Sequence, residues 1–350
     1  MRVLHLTGSA VSGFFADLSR LYAADCLEAT AGLHTAVIAY VTPDGRWRFP
    51  ADLTPEAVAA APSLRLSEAV RHIEQLGIDV MLPQMFCLPG MTTYRALFDA
   101  LGIPYVGNPP DVMALGADKA KARAVVAAAG VDVPAGVVLR EGERRLPTPP
   151  VVVKPVDADN SLGVTLVRSP AEYDGALGEA FAHSDRVLVE RYVELGREVR
   201  CGTLVRDGRL ICLPLEEYNM DLSPVRRHAD KIVRAEGGEL GLVAKDATRA
   251  WTVDPADPVT EAVWAAARTC HEALGCRHHG LFDFRIDPAG RPWFLEASLY
   301  CSFARKSVVV MMAEAAGIPL GELFATAVRQ AAVRGPSDAR EAAGTASSRG

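Results

Sequence analysis

Apolar and polar positions alternate along the first third of the chain in the way that successive strands and helices do. Short apolar runs predict strands, and longer segments with apolar residues three or four positions apart predict helices. Such alternation is typical of an α/β fold with a doubly wound sheet of mainly parallel strands. We therefore predict an N-terminal α/β domain over residues 1–108, ended by Pro109-Pro110. Its predicted strands are Val3–Leu6, Thr35–Val41, Asp79–Pro83 and Pro104–Val106, and its predicted helices are Phe14–Ala31, Ser67–Leu76 and Thr92–Leu101.

The centre of the chain changes to closely spaced apolar runs, which predict a mostly stranded α+β region. Asp207-Gly208 supplies a hairpin turn between two of these strands. Gly335–Gly350 is rich in Gly, Ala and Ser without periodicity, and we expect it to be disordered. The predicted strands are Val151–Lys154, Gly163–Val167, Val187–Val193, Val199–Val205, Leu210–Pro214, Gly280–Asp287 and Pro292–Ala297. The predicted helices are Lys119–Ala129, one that opens at Ser169-Pro170, Asp257–Leu274, Ser307–Ala316 and Leu320–Val333.

The predicted strand Val151–Lys154 is apolar until it ends in a lysine. A lysine almost never lies in an apolar core without a partner. Either the Lys154 side chain reaches solvent, or an anionic group meets it. The residues of this strand alone leave both interpretations open.

The segment Gly280–Ser298 reads as a hairpin whose register follows from its own apolar pattern. A loop centred on Ala289-Gly290 pairs the apolar residues of the two strands and puts Asp283 directly opposite Glu296. A three-residue loop would shift the pairing and separate these acids. Facing carboxylates destabilise a sheet unless a cation lies between them, and Mg²⁺ prefers carboxylate and phosphate oxygens. The alternative is a solvated outer face on which Arg285 neutralises Asp283.

Composition and charge exclude several classes of function. The 350 residues carry a formal net charge of −6, and without a basic run we expect no nucleic-acid partner. No apolar run reaches the length of a membrane span, and the opening segment resembles a strand rather than a signal peptide. Seven cysteines without a CxxC pair suit a reducing compartment, so we expect a cytoplasmic protein. The sequence also lacks GxxxxGK[ST], HExxH, GxSxG and GxGxxG.

Five segments, in this order and spacing, resemble the ATP-grasp superfamily and within it the D-alanine–D-alanine ligase type. They are ADKAKARAVVAAAGVDVP, VVVKPVDADNSLGV, VLVERYVELGREV, LFDFRID and FLEASLYCSFARKS. The resemblance implies an ATP-grasp fold with the N-terminal α/β domain, a central subdomain over 109–188, a C-terminal subdomain over 189–334 and a tail over 335–350. It also implies ATP and one or two Mg²⁺ (or Mn²⁺) as cofactors. A homodimer is implied as well, although the sequence shows no interface signal of its own.

The resemblance assigns the site residues position by position. Lys119 and Lys154 would hold ATP phosphates, which would give Lys154 its anionic partner. Asp283 and Glu296 would bind magnesium, in agreement with the hairpin register. The other nucleotide-binding positions are Asn160, Ser161 and Gly163 in a loop over the phosphates, Glu190, Tyr192 and Val193 at the adenine, Glu198 at the ribose, and Lys231 on a lid.

The sequence departs from the family pattern at several positions. Ser298 stands where the family has a metal-binding asparagine, and Leu281 where it has an arginine that stabilises the tetrahedral intermediate. Arg285 or Arg305 could replace that arginine, and a structural ion pair is the alternative for each. Ser307 matches a serine that binds the acceptor carboxylate. Because the first loop lacks the glutamate that binds the ammonium of D-alanine, we expect a substrate other than D-alanine.

These observations predict an ADP-forming ligase that couples a small carboxylic acid to an amine. One alternative is a small-molecule kinase that uses the same nucleotide site but leaves the phosphate on a hydroxyl. Another is a nucleotide-binding protein without ligase activity, which the changes at Leu281 and Ser298 would suit.

Overall fold

The computed structural model describes residues 1–143, 147–158, 161–220, 232–234, 240–242 and 250–333. The chain divides into two compact units. The first comprises Met1–Ala114, Arg277–His279 and Tyr300–Gly350, and the second comprises Leu115–Cys276 and Gly280–Leu299. Asn160, Lys231 and the predicted disorder of the tail lie outside the described residues. The finer division at residues 108, 188 and 334 stays a prediction.

The first unit contains the doubly wound sheet that the sequence predicts. Strand β1 pairs in parallel with β2 and with β4, and β3 extends the sheet antiparallel to β2. The strands are β1 (Arg2–Gly8), β2 (Thr35–Val41), β3 (Trp47–Arg48) and β4 (Val80–Pro83). The helices are α1 (Gly13–Ala29), α2 (Pro55–Ala60), α3 (Leu66–Leu76), α4 (Leu88–Met91), α5 (Thr93–Ala100), α10 (Val308–Ala315) and α11 (Leu320–Val333), while α6 (Pro110–Ala117) spans the boundary between the units.

The prediction of a strand at Pro104–Val106 is wrong. Only Tyr105 pairs with the sheet, through an isolated parallel bridge to Met81. Pro104 has no N–H to donate to a ladder, and Gly107, with φ of +93°, turns the chain away directly after Val106. The apolar run is therefore too short to continue the sheet.

A four-stranded sheet and a six-stranded sheet build most of the second unit. One has the order β5-β8-β6-β7, and the other has the order β14-β11-β9-β15-β16 with β10 paired to β9. The strands are β5 (Gly136–Arg140), β6 (Val151–Pro155), β7 (Thr165–Val167), β8 (Arg186–Arg191), β9 (Arg197–Arg206), β10 (Arg209–Cys212), β11 (Glu216–Tyr218), the pair β12 (Ile232–Arg234) and β13 (Leu240–Leu242), β14 (Ala250–Thr252), β15 (His279–Ile286) and β16 (Pro292–Ala297). The helices are α7 (Lys119–Ala128), α8 (Tyr173–Phe181) and α9 (Val259–Ala273).

The hairpin of β15 and β16 confirms the predicted register at the acids but not nearer the loop. Asp283 is paired with Glu296, as predicted. Nearer the loop the register is shifted by one residue, because an irregularity follows Asp283 and pairs Phe284 with Phe294. A bulge of this kind absorbs an extra residue and so keeps the two acids opposite although the loop pairing has moved.

Among the described residues, no single helix is long and apolar enough to cross a membrane. Helices α10 and α11 reach that length and apolarity only when they are taken together, and a 112° bend separates them.

A buried histidine couples the stability of the first unit to pH. His5, at 0% exposure on β1, has Nδ1 2.9 Å from Gln84 Oε1 and Nε2 2.8 Å from His34 Nε2. Burial lowers the pKa of His5 to about 3, although the hydrogen bond with Gln84 opposes that shift. Because the unfolded chain takes up this proton near the ordinary pKa of about 6.5, stability is lost as pH falls below that value.

We therefore predict that His5→Gln, which keeps hydrogen-bonding groups but cannot titrate, reduces the pH dependence of stability. Between pH 7.5 and 5.5 the wild type should lose about 1 kcal/mol more unfolding free energy than the variant. Guanidinium unfolding of both full chains at the two pH values measures this difference. Parallel losses in the two proteins would contradict a neutral His5 in the folded state.

Candidate nucleotide and metal site

A cleft of about 750 Å³ lies within the second unit. Its walls come from the start of α7, from β6 and β8 of one sheet, and from β9, β15 and β16 of the other. It brings together residues that the sequence assigns to one site although up to 177 positions separate them. The predicted residues that line it are Lys119, Lys154, Ser161, Glu190, Val193, Glu198, Asp283, Arg285 and Glu296.

Lys154 does not extend to solvent from the end of β6. Its side chain is 9% exposed, and Nζ lies 2.6 Å from Glu190 Oε2 on the neighbouring strand β8. Arg123 Nε, on α7, lies 3.2 Å from the other oxygen of the same carboxylate. Glu190 thus faces two cations, which is more positive charge than one carboxylate neutralises. The cluster therefore has the net charge to attract a further anion.

Lys119 is fixed by the way in which α7 begins. Asp118 caps the helix by accepting from the Lys121 N–H at 2.9 Å, and its other oxygen accepts from Arg186 at 2.8 Å. The Lys119 N–H donates to the Val156 carbonyl at 2.9 Å, which ties the helix start to the chain that follows β6. Lys119 Nζ donates to Ala158 O at 2.5 Å and lies 3.6 Å from Glu296 Oε2. The ammonium group therefore stands between the phosphate-loop segment and the predicted metal acid.

We predict that Asp118→Ala lowers the unfolding free energy by about 1–2 kcal/mol, the typical cost of a lost N-cap. Asp118→Asn, which can still cap but cannot neutralise Arg186, should cost less. Burial raises the pKa of Asp118, but hydrogen bonds from Arg186 and Lys121 outweigh it and hold the pKa below its usual range. Its contribution is thus present above pH of about 4 and is lost as pH falls through the lowered folded value.

Denaturant unfolding of the wild type and both Asp118 variants at pH 7 and pH 3 tests this prediction. The wild type should be more stable than Asp118→Ala at pH 7, and the difference should shrink at pH 3. An equal difference at both pH values would contradict a charged Asp118 as the cause.

The described residues 161–163, which precede β7, have the tight backbone expected of a phosphate loop. Ser161 and Gly163 have φ of +57° and +67°, and Ser161 and Ala158 line the cleft. A Cβ on Gly163 would lie 2.9 Å from both Pro155 Cγ and His183 Cδ2. Glycine is thus required at position 163 by packing as well as by its positive φ. Small residues in such a loop let backbone N–H groups approach an anion.

The predicted adenine and ribose positions are partly committed to other contacts. The Tyr192 N–H donates to Pro150 O at 3.0 Å, and Val193 O accepts from Arg285 at 3.3 Å. An adenine base at this position would therefore have to hydrogen-bond to the other backbone groups of Tyr192 and Val193. Glu198 Oε2 lies 2.7 Å from Arg285 Nη2, and the Arg285 guanidinium lies over the Tyr192 ring at 5.3 Å. These contacts suit the alternative of a structural ion pair for Arg285, and a catalytic role stays a prediction.

The paired acids Asp283 and Glu296 line the cleft and are suitable ligands for a hard cation. Asp283 is 4% exposed, and its Oδ1 lies 2.8 Å from Arg200 Nε on β9. Mg²⁺ is usually held by one or two carboxylates and completes its shell with water and substrate phosphates. The donor set of Asp283 and Glu296 fits that pattern. Among the residues that the structure describes, no three His, Cys, Asp or Glu side chains form a fuller metal cage.

Ser298 lies two positions after the second acid and is held by a backbone hydrogen bond. Its N–H donates to Leu281 O at 2.7 Å, which continues the hairpin beyond β16. Within the described part of the chain, Ser298 is not among the residues that line the cleft, and the same holds for Gly163 and Tyr192. Metal binding by Ser298 stays a prediction.

Arg200 is the functional candidate that the sequence reasoning missed. It lies two positions after Glu198 on β9, so both side chains point to the same face of the strand. That alternation was visible in the sequence. The pairing of β9 with β15, which brings Arg200 to Asp283, was not.

Arg305 and Ser307 belong to the first unit, and both make contacts within it. Arg305 Nη1 lies 2.8 Å from Asp25 Oδ1, and Nη2 lies 3.0 Å from Glu28 Oε1, both on α1. These exposed pairs suit the structural alternative for Arg305. Ser307 precedes α10 without a side-chain cap bond, and its Oγ lies 3.8 Å from Cys301 Sγ. The catalytic roles of both residues stay predictions.

Comparisons with known proteins agree on one group of enzymes. The family described as D-ala D-ala ligase C-terminus matches residues 137–329. A D-alanine–D-alanine ligase from Citrifermentans bemidjiense is 31% identical over 249 residues, which cover 69% of this chain and 74% of that protein. The D-alanine–D-alanine ligase structure from Coxiella burnetii has a TM-score of 0.72 at 18% identity and covers 97% of this chain and 96% of its own. The ATP complex of the Bacillus anthracis ligase has a TM-score of 0.68 at 21% identity, with coverage of 95% and 98%.

Proposed function

The chain belongs to the D-alanine–D-alanine ligase family of ATP-grasp enzymes, and from this premise we propose that it joins a small amino acid to a second amino acid with ATP and magnesium. The general reaction of this family is the ATP-dependent, ADP-forming ligation of a carboxylate to an amine. The ATP-grasp fold predicted from the sequence is confirmed. The homodimer and the cytoplasmic location stay predictions.

The observation that carries the proposal is the convergence of two buried lysines and two facing acids on one cleft. Lys119 and Lys154 come from α7 and β6, and Asp283 and Glu296 come from the β15–β16 hairpin. Lysines on one wall suit phosphate oxygens, and carboxylates on the other suit a divalent cation between protein and phosphate. A solvated strand face would not bury Asp283 to 4% exposure.

Each of these side chains has a definable task. When bound, ATP supplies the phosphoryl group that activates the carboxylate, magnesium offsets phosphate charge, and the amine then displaces phosphate. Lys119 and Lys154 orient the phosphates and offset their charge. The positive φ of Ser161 and Gly163 shapes the loop that would cover them. Glu198 would accept hydrogen bonds from ribose hydroxyls. Catalysis of this kind rests on positioning and electrostatics.

We base the proposed substrates on the names of the relatives rather than on the missing glutamate in the first loop. The expectation that D-alanine is excluded is not borne out, since the curated relatives are named D-alanine–D-alanine ligases. We therefore propose small D-amino acids as both acid and amine, with D-alanine as the first candidate. The loop that lacks a glutamate still predicts a different contact for the ammonium of the first substrate.

A panel of D- and L-amino acids, alone and in pairs, tests the proposal. ADP and free phosphate should form together, in equal amounts, only with a productive pair, and mass spectrometry should show the dipeptide. ADP without free phosphate would instead support a kinase that phosphorylates a hydroxyl. Tight binding of ATP without turnover of any pair would support the nucleotide-binding protein without ligase activity.

A further inference from the structure

A row of four ionisable side chains crosses the larger sheet beside the cleft. Glu216 on β11 is paired with Arg200 on β9. Arg200 Nε lies 2.8 Å from Asp283 Oδ1 on β15, and Asp283 is paired with Glu296 on β16. The row therefore places one arginine between acids on both sides.

Arg200 is held in this row by more than one contact. Its side chain is 11% exposed, and its guanidinium lies over the Tyr218 ring, 5.0 Å from the centroid. The Tyr218 hydroxyl donates to Glu216 Oε2 at 2.9 Å. An arginine guanidinium stays protonated in proteins, and here acids lie on both sides of it, Asp283 on β15 and Glu216 on β11. The guanidinium is therefore a permanent positive charge behind the predicted metal acid.

On the basis of the proposed function, we propose that Arg200 is an internal cation of the metal site, so that the nucleotide-bound cleft takes one divalent cation rather than two. Arg200 already neutralises Asp283, and Lys119 already stands 3.6 Å from Glu296. A second divalent cation close to the guanidinium would meet a like-charge repulsion that such a partly buried site screens only weakly. One cation beside the nucleotide leaves the total charge nearer to balance.

Counting bound Mn²⁺ by electron paramagnetic resonance tests this inference directly. The full chain is saturated with a non-hydrolysable ATP analogue, and the signal of unbound Mn²⁺ gives the number held per chain. The wild type should hold one Mn²⁺. Arg200→Met removes the charge at similar length and should hold two, whereas Arg200→Lys should return the count to one.

A matched control lies on the same strand. Arg206 is 40% exposed near the end of β9, and Arg206→Met should leave the count at one. A count of two in the wild type would overturn the inference, as would a count of one in an Arg200→Met protein that binds the nucleotide. Where that variant fails to fold, the wild-type count alone decides.

The proposed function and this inference fail in different ways. Absence of nucleotide binding by calorimetry in the wild type would defeat the proposed function and with it the inference. Nucleotide binding with two Mn²⁺ per wild-type chain would defeat the inference and leave the ligase proposal intact.

Discussion

Replacing Lys154 with methionine is expected to lower kcat for ADP formation by about a hundred- to a thousandfold. Lys154 lines the cleft from β6, and its ammonium would stabilise negative charge on the transferring phosphoryl group. Methionine keeps the unbranched, partly apolar body of the side chain and removes only the charge. Because Arg123 still faces Glu190 at 3.2 Å, the variant does not leave that carboxylate without a cation.

Two controls separate this effect from a general loss of charge or of fold. Lys121→Met removes an exposed lysine from α7, with 65% of its side chain accessible, and should leave kcat unchanged. Lys154→Arg keeps the charge and should retain more activity than Lys154→Met. The assignment of Lys154 to a phosphate would be wrong if Lys154→Met turned over at the wild-type rate at saturating ATP and productive substrates.

Replacing Glu296 with glutamine is expected to raise the Mg²⁺ concentration needed for half-maximal activity and to lower kcat by about a hundredfold or more. The carboxylate is one of two hard anionic ligands in the cleft, and a metal bound there is worth several kcal/mol of charge stabilisation. Glu296 is the better position to test than Asp283, because its side chain is 30% exposed. Removing Asp283 would instead take away the carboxylate that lies 2.8 Å from the buried Arg200 guanidinium, which itself destabilises the fold.

Steady-state rates over a range of Mg²⁺ concentrations measure the Glu296→Gln effect. Glu272→Gln, an exposed acid on α9, is the matched control and should follow the wild-type metal dependence. An unchanged half-maximal Mg²⁺ concentration in Glu296→Gln would contradict metal binding by this hairpin.

The residues of the cleft that the sequence could predict are those whose local pattern carries the information. Lys154 stands out because an apolar strand ends in it, and the Asp283–Glu296 pair follows from alternation along two adjoining strands. In both cases the deciding neighbours lie within about twenty positions of each other along the chain. The longer strands and helices of the first unit could likewise be predicted from their regular periodicity, whereas the short elements β3, α2 and α4 could not.

Features that depend on distant pairing were not accessible in this way. Arg200 meets Asp283 only because β9 pairs with β15, and Glu190 meets both Lys154 and Arg123 only because α7 and β6 pack beside β8. The bulge after Asp283 was also missed, since the apolar pattern fitted an unbroken ladder. Side chains that neutralise one another across strands leave no periodic trace in the sequence.

A crystal structure with Mg²⁺ and a non-hydrolysable ATP analogue tests the central claim most directly. The nucleotide should lie in the cleft of the second unit, with Lys119 and Lys154 Nζ about 2.7–2.9 Å from phosphate oxygens. Asp283 and Glu296 should bind magnesium at about 2.1 Å. A nucleotide bound elsewhere, or phosphates that approach neither lysine while the acids hold no metal, would contradict the account.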